Sequence, residues 1–470
     1  MEPVKDFDKK QLQVEMSQEI FLPGFDSPMT PLPVQDGETA IETLESLFAP
    51  QQPPLRVEKQ RVGKWIDACK RVFPIYLATH IAFVLLTYLA TLFSLKNFSQ
   101  DQLGLQTLLA AWNRWDTSQF TTIATQGYDA PWRTAFFPLF PLLEAGLNFL
   151  THNALVAGLI IANLAMLGVF MVLYQIVQED FNGELAARAV LYLALFPTAF
   201  FLASAYNESL FLCLSLLSFY HIRRGQWWWA GLWGLLAALT RSAGVCLLLP
   251  FAYEYARQHD YKITSWLRRT SREPLVNPPA LSPGGPQGVL LRARKHLAVL
   301  SGLLILVGPA LFALYCALHF HDPLAFSHAQ SGGDWQRQMA IPGIGFARGL
   351  WVIGHYGLLS FSSIHTVIDL SAGLLMLLLT ALCFVGPWRF PRELRVYGLY
   401  GAAMFLFLIL FPSSIVPLQS MSRQVIELFP AFILLAIAGK RPQFQLYYLV
   451  IAGALLSFML LQFLVGYWIV

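Results

Sequence analysis

The chain carries an uncharged apolar run at residues 154–178, ALVAGLIIANLAMLGVFMVLYQIVQ. At a helical rise of about 1.5 Å per residue, such a run can cross the roughly 30 Å hydrocarbon core of a bilayer. Further long apolar runs occupy 73–94, 297–319, 366–386, 396–411 and 445–467. We therefore predict an all-α, polytopic membrane protein.

The composition supports this class and excludes several others. Of 470 residues, 56% are hydrophobic and 13% are charged, whereas soluble domains carry roughly 25% charged residues. The net charge of +4 is small, and no basic run lies on a soluble domain, so we expect no nucleic-acid binding. The five cysteines form no CxxC pair, which disfavours a zinc site or a disulfide framework. Residues 1–60 lack an apolar segment and are predicted to form a disordered or loosely helical cytoplasmic tail before a transmembrane domain at 61–470.

Shorter apolar runs raise the predicted number of transmembrane helices to about eleven. They occupy 189–204, 207–222, 227–240, 243–256 and 424–438. The stretch 136–150 is also apolar but is interrupted by Pro138, Pro141 and Glu144. We interpret it as a re-entrant or juxtamembrane helix, because counting it as a span would put the later basic loops outside, against the positive-inside rule.

The basic residues set the predicted orientation. A cluster before the first span places the N-terminus in the cytoplasm, and a basic loop at 257–296 follows on the same side. The outer side then receives the loops 95–153 and 320–365. The polar residues collect at this outer side, so we expect the chemistry there.

The first outer loop contains an acidic residue among aromatic ones, in Trp112-Asn113-Arg114-Trp115-Asp116-Thr117-Ser118-Gln119-Phe120. A carboxylate in such a setting at a membrane face is costly and usually serves chemistry. Asp116 has the chemistry of a general base. The alternative is that Asp116 only caps a short helix.

Several segments together resemble the PIG-V family, whose eukaryotic members are the second mannosyltransferase of GPI-anchor assembly and which has bacterial relatives. The segments that carry the resemblance run in the family's order from about residue 60 to the C-terminus. They are Arg114-Trp115-Asp116…Phe120, Ala135-Phe136-Phe137-Pro138-Leu139-Phe140-Pro141, Phe196-Pro197-Thr198-Ala199-Phe200-Phe201, Tyr206-Asn207-Glu208-Ser209-Leu210-Phe211, Ala238-Leu239-Thr240-Arg241-Ser242-Ala243-Gly244, His321-Asp322-Pro323-Leu324-Ala325-Phe326 and Ser422-Arg423…Leu428-Phe429-Pro430. One departure is Asn207-Glu208-Ser209, where the pattern more often reads Ser-Glu-Ser.

The resemblance implies a GT-C-type fold with the catalytic acidic residue in the first outer loop. It also implies mannose transfer from a polyprenyl- or dolichyl-phosphate-mannose donor to a glycan or glycolipid acceptor on the outer or lumenal face. In a host that makes GPI anchors the enzyme would lie in the endoplasmic reticulum membrane with a small membrane subunit. In a bacterium it would lie in the plasma membrane.

Candidate site residues follow from this chemistry. An inverting transfer needs one carboxylate, for which we choose Asp116. Arg241 and Arg423 are the candidates for the carrier phosphate, because guanidinium groups match phosphate oxygens in bidentate geometry. The alternative for both is a structural ion pair with Glu208 or Glu427. Arg114, Trp115, Phe120, Tyr206 and Glu208 complete the predicted substrate-binding set, with a helix N-terminal role as the alternative for Glu208.

The stretch 321–338 is polar and is predicted to form a rim over the site. Its histidines, His321 and His328, are widely spaced and lack a tight carboxylate pair, so we predict no metal and no cofactor. A cavity is expected between 112–141, 204–209, 240–244 and 321–340, with Asp116 facing into it.

Two functions of other classes remain as alternatives. The first is a transporter or flippase of a lipid-linked substrate, which would favour internal repeats and polar residues at mid-membrane. No repeat is seen, and the polar residues gather at one interface. The second is a structural scaffold, which leaves Asp116 and Arg241 unexplained.

Overall fold

The computed structural model describes residues 59–94, 104–259, 286–333 and 335–467. Within these ranges the chain is all-α, as predicted, apart from one isolated β-bridge between Arg337 and Ser413. Most of the predicted N-terminal tail, residues 1–58, lies outside the described residues. So do residues 95–103 of the first outer loop, residues 260–285 of the basic loop, and Asp334.

The α-helices are numbered here in chain order. They are α1 (Lys59–Ser94), α2 (Leu105–Ala110), α3 (Asp116–Gln126), α4 (Leu139–Thr151), α5 (Ala154–Asp180), α6 (Gly183–Ala194), α7 (Glu208–Arg223), α8 (Trp227–Thr240), α9 (Leu248–Gln258), α10 (Pro286–Phe320), α11 (Ala325–Ser331), α12 (Ile344–Tyr356), α13 (Phe361–Leu382), α14 (Arg395–Leu410), α15 (Met421–Gln424), α16 (Phe429–Ala438) and α17 (Pro442–Val465).

The six long runs of the sequence all become helices that are long and apolar enough to cross a membrane. These candidate spans are Gly63–Phe93, Ala154–Asp180, Ala298–Phe320, Ser363–Leu382, Arg392–Leu410 and Pro442–Val465. A seventh is possible only if the segment Met421–Glu427 and α16, which meet at 83°, count as one broken span. The described part of the chain therefore does not confirm the predicted number of about eleven.

The shorter runs explain the difference. The runs 189–204, 207–222, 227–240 and 243–256 correspond to α6, α7, α8 and α9, which have between 11 and 16 residues. Helices of this length fall short of the roughly 17–25 residues that a span needs. The chain between them is broken by 3₁₀ turns, such as Ala199–Leu202 and Ser242–Leu247.

One boundary also differs from the sequence prediction, since helix α10 begins at Pro286, inside the predicted 257–296 loop. The stretch 136–150 forms α4, a short apolar helix that does not reach the length of a span, which agrees with leaving it out of the predicted spans.

Every residue of α16 is buried, which is expected of a helix that is apolar on all sides. Pro430 lies in its first turn, where the missing N–H has no helical partner to lose. The chain bends just before it, at Leu428, so residues 421–427 turn sharply away.

Helix α7 connects two ionic clusters. Its first residue, Glu208, pairs with Arg241, and its last residue, Arg223, pairs with Asp180 and Glu254. A helix of 16 residues has a length of about 24 Å at 1.5 Å per residue. The two clusters therefore lie at opposite ends of α7, and the predicted site residues belong to the Glu208 end.

Candidate active site

Asp116 is the first residue of α3, and the backbone before it is unusual. Trp115 has φ 41° and ψ −108°, a left-handed conformation that costs energy for a residue with a side chain. Oδ2 of Asp116 accepts a hydrogen bond from Nη1 of Arg423 at 2.7 Å. The carboxylate is thus held by an arginine about 300 residues away in the sequence, and its observed partner is not a helix N–H.

The two predicted arginines are joined through buried carboxylates. Nε of Arg423 lies 3.1 Å from Oε1 of Glu208, and Nη1 of Arg241 lies 2.9 Å from the same oxygen. Nη1 of Arg241 also lies 2.9 Å from Oε1 of Glu427. The side chains of Glu208 and Glu427 are fully buried. Three carboxylates therefore share two guanidinium groups.

This network bears on the alternatives that the sequence left open. Both arginines do form ion pairs, but the partner of Arg423 is not Glu427, which lies one helical turn away in sequence. Arg423 instead pairs with Asp116 and Glu208, and Glu427 pairs with Arg241. Glu208 does occupy the first turn of α7, and its carboxylate is directed to the arginines.

The turn that carries Arg423 is fixed from α13. Oδ1 of Asp369 accepts hydrogen bonds from the backbone N of Ser422 at 2.8 Å and from its Oγ at 2.7 Å. Oγ1 of Thr198 donates to the carbonyl oxygen of Ser422 at 2.8 Å. Because Asp369 and Thr198 are buried, the position of the neighbouring Arg423 is set by bonds shielded from water. Asp369 could not be identified from the sequence, since no local pattern connects it with Ser422.

A cavity of about 540 Å³ opens beside the ionic network. Each of the four segments predicted to bound it contributes to its lining, and Asp116, Arg241 and Arg423 are among the lining residues. A wall from 407 to 424 was not predicted. The lining residues from these parts include Asp116, Phe120, Phe136, Asn207, Arg241, Gln330, Trp335, Arg337, Phe407, Phe411, Gln419 and Arg423.

Some of the predicted substrate-binding residues lie elsewhere. Arg114 is not part of the cavity lining; its Nη2 donates to the carbonyl oxygen of Leu464 at 2.6 Å, near the end of α17. Trp115 packs on Phe463 instead. The ring of Phe120 does line the cavity. The positions of Arg114 and Trp115 therefore give no support for a direct substrate contact, because both side chains pack the loop against α17.

Tyr206 and Glu208 stand behind the cavity wall. Tyr206 is buried, and its hydroxyl donates to the carbonyl oxygen of Arg114 at 3.2 Å. Burial raises the pKa of this hydroxyl, and the nearby Asp116 adds to the effect. The guanidinium of Arg423 lies 5.3 Å from the centre of the Tyr206 ring. These residues support the arginines, and the cavity is lined by the arginines themselves.

Arg337 has a more central position than its sequence context predicted. It was placed in the polar rim, yet it lines the cavity with Arg241 and Arg423. Nη2 of Arg337 donates to the carbonyl oxygen of Gln419 at 3.2 Å. Burial and the neighbouring guanidinium groups of Arg423 and Arg241 lower the pKa of Arg337 to about 10, so the side chain remains charged at neutral pH.

Of the two histidines in the rim, His328 forms an exposed ion pair with Asp322. Nδ1 of His328 lies 2.7 Å from Oδ2 of Asp322. Among the residues that the structure describes, no group of three His, Cys, Asp or Glu side chains is placed to hold a metal ion.

Comparison with known proteins identifies the central part of the sequence. Residues 85–263 match the family model described as Mannosyltransferase (PIG-V). GPI alpha-1,6-mannosyltransferase 2 of Mus musculus is 33% identical over 165 residues, which are 32% of this chain and 32% of the mouse protein. GPI mannosyltransferase 2 of Schizosaccharomyces pombe is 29% identical over 147 residues, 30% of this chain and 31% of the yeast protein. The match thus spans about a third of the length of these relatives.

Among solved structures, the chain is similar to the oligosaccharyltransferase of Archaeoglobus fulgidus in the apo form. The TM-score is 0.40 at 14% sequence identity, and the match covers 83% of this chain and 56% of that one.

Proposed function

We propose that this chain, whose residues 85–263 match the family model described as Mannosyltransferase (PIG-V), is an integral-membrane mannosyltransferase of GT-C type. The donor is a polyprenyl- or dolichyl-phosphate mannose, and the acceptor is a hydroxyl of a glycan or glycolipid on the outer or lumenal face. The relatives are named for an alpha-1,6 linkage, and we propose the same linkage here.

The observation that carries the proposal is the position of Asp116 in the cavity, held by Arg423. Oδ2 of Asp116 is engaged by the guanidinium at 2.7 Å, which leaves Oδ1 to take a proton. As the acceptor oxygen forms its bond to C1 of mannose, its proton passes to Asp116. The bond between C1 and the phosphate oxygen breaks, and its electron pair leaves with the lipid phosphate. Displacement from the opposite face inverts C1 and needs no second nucleophilic carboxylate.

The surrounding residues suit this step. The wall formed by Phe120, Phe136 and Trp335 offers aromatic faces for a sugar ring and limits the access of water. Arg241 and Arg423 also line the cavity. Their ion pairs with Asp116, Glu208 and Glu427 hold the carboxylates in place, so these arginines supply orientation as well as charge.

The acceptor and the membrane depend on the host. In a host that makes GPI anchors, we propose a GPI precursor in the endoplasmic reticulum membrane and a small membrane subunit as partner. In a bacterium, we propose a glycolipid or polymer of the cell envelope at the plasma membrane.

A transfer assay separates this function from a transporter or flippase. The purified chain is reconstituted in liposomes with radiolabelled polyprenyl-phosphate mannose and a mannose-terminated glycolipid acceptor. We expect label in the acceptor and release of polyprenyl phosphate. Movement of the intact labelled donor between leaflets, without any labelled acceptor, would contradict the proposal and support the transporter.

A further inference from the structure

The cavity contains one guanidinium group that has no acidic partner among the described residues. Arg241 and Arg423 are both occupied by carboxylates. Arg337 lines the same cavity, and the hydrogen bond of its side chain goes to the neutral carbonyl oxygen of Gln419. A guanidinium carries five N–H donors, so donors remain for a ligand. An arginine in this position is costly unless an anion compensates its charge.

The backbone holds Arg337 in place before any ligand arrives. Its N–H donates to the carbonyl oxygen of Gln330 at 2.8 Å, and Arg337 forms an antiparallel bridge with Ser413. Three residues further on, the N–H of Ala340 donates to the carbonyl oxygen of Leu410 at 2.9 Å. Residues 337–340 are therefore fastened to the end of α14 and the turn after it. This preorganisation lowers the entropy cost of binding.

The surroundings of Arg337 match a phosphate that carries an apolar chain and a sugar. The end of α14 adds an apolar wall beside it, with Phe407, Leu408 and Ile409 lining the cavity. On the polar side, Oε1 of Gln330 and Oε1 of Gln419 are buried without hydrogen-bond partners. Amide oxygens of this kind accept hydrogen bonds from hydroxyl groups, of which a sugar has several.

We propose that Arg337 is the residue that binds the phosphate of the lipid-linked donor, and that the polyprenyl chain leaves along residues 407–411. The guanidinium fork fits two phosphate oxygens at once. This inference rests on the proposed function for the identity of the lipid. The sequence alone pointed to Arg241 and Arg423 as the phosphate-binding residues. Here Arg337 binds the phosphate, and Arg241 and Arg423 hold the carboxylates.

The test measures binding without turnover. The full chain in detergent is titrated with three probes: polyprenyl phosphate, the corresponding polyprenol, and inorganic phosphate. The variants are Arg337→Gln and Arg337→Lys, and the matched control is Arg348→Gln, which removes an exposed arginine outside the cavity lining. Melting temperature and monodispersity show that each variant is folded.

The wild type is expected to bind polyprenyl phosphate more tightly than polyprenol, and to bind inorganic phosphate only weakly. In Arg337→Gln we expect this preference to fall by about ten- to a hundredfold, the size of a lost charge-assisted contact. Arg337→Lys should keep part of the preference, and Arg348→Gln all of it.

Two results would overturn the assignment in distinguishable ways. If the wild type prefers polyprenyl phosphate and both Arg337 variants keep that preference in full, Arg337 is not the phosphate residue, while the proposed function stands. If the wild type shows no preference for the phosphate over the alcohol, both the subsite and the proposed donor fail. Binding of inorganic phosphate as tight as that of the lipid would show a free-anion site and would also refute the assignment.

Discussion

Replacing Asp116 with Asn separates the chemistry of the carboxylate from its place in the fold. Asn is nearly isosteric with Asp and keeps a side-chain oxygen that accepts the hydrogen bond from Nη1 of Arg423. In the wild type this nitrogen lies 2.7 Å from Oδ2 of Asp116. The variant also keeps the ion pair between Nε of Arg423 and Oε1 of Glu208, which lie 3.1 Å apart. The cost in stability is therefore that of exchanging a charge-assisted hydrogen bond for a neutral one, about 1 kcal/mol.

The cost in catalysis should be much larger. An amide cannot take the proton of the acceptor hydroxyl, and loss of a general base typically lowers the rate by about 10²–10⁴-fold. This corresponds to roughly 2.7–5.5 kcal/mol in the activation barrier. We expect kcat for mannose transfer to fall by this factor with little change in the melting temperature.

The assay measures mannose transfer at saturating donor, alongside thermal unfolding of the same samples. The matched control is Asp129→Asn. Asp129 belongs to the same loop and is also paired with an arginine, Arg133, but it does not line the cavity. Asp129→Asn should transfer mannose at nearly the wild-type rate. If Asp116→Asn were as active as this control, Asp116 would not be the base.

Three further perturbations test the structure around the site. Asp369→Asn weakens the bonds that fix Ser422, so kcat should fall about ten- to a hundredfold through misplacement of the neighbouring arginine; an unchanged kcat would exclude this positioning role. Gly231→Ala puts a Cβ against a backbone oxygen of α10 and should lower the free energy of unfolding by about 1–3 kcal/mol, and with it the melting temperature. The control Gly453→Ala places its Cβ in open space and should not lower the melting temperature. Burial raises the pKa of Glu144 to about 8, so the folded state keeps a proton that the unfolded state releases from about pH 4.3 upward. The stability of the wild type should therefore fall as the pH rises from about 4.3 to about 8. Melting temperatures measured at each pH should show this fall, and a less steep fall in Glu144→Gln.

The sequence predicted the parts of the fold that depend on long apolar runs. All six long runs became candidate spans, because length and hydropathy alone identify such helices. Length and hydropathy did not predict the helices from α6 to α9 correctly. These helices are short and meet at 3₁₀ turns, and their ends depend on packing against one another.

The candidate site was predictable to a similar degree. The costly placement of Asp116, Arg241 and Arg423 in apolar surroundings indicated residues that the structure does bring together. Their pairing was not predictable, since Asp116 meets Arg423 across most of the chain. Arg337 was expected only in the polar rim, for the same reason: its place in the cavity depends on a backbone bridge to Ser413, and no local pattern marks such a contact.

The proposed catalytic site can be tested by a structure of the chain with a bound, non-transferable analogue of polyprenyl-phosphate mannose. We expect the sugar in the cavity, with Oδ1 of Asp116 facing the side of C1 opposite the phosphate. We also expect the phosphate against the guanidinium of Arg337. A sugar bound elsewhere, or one whose C1 is remote from Asp116, would contradict the proposed catalytic site.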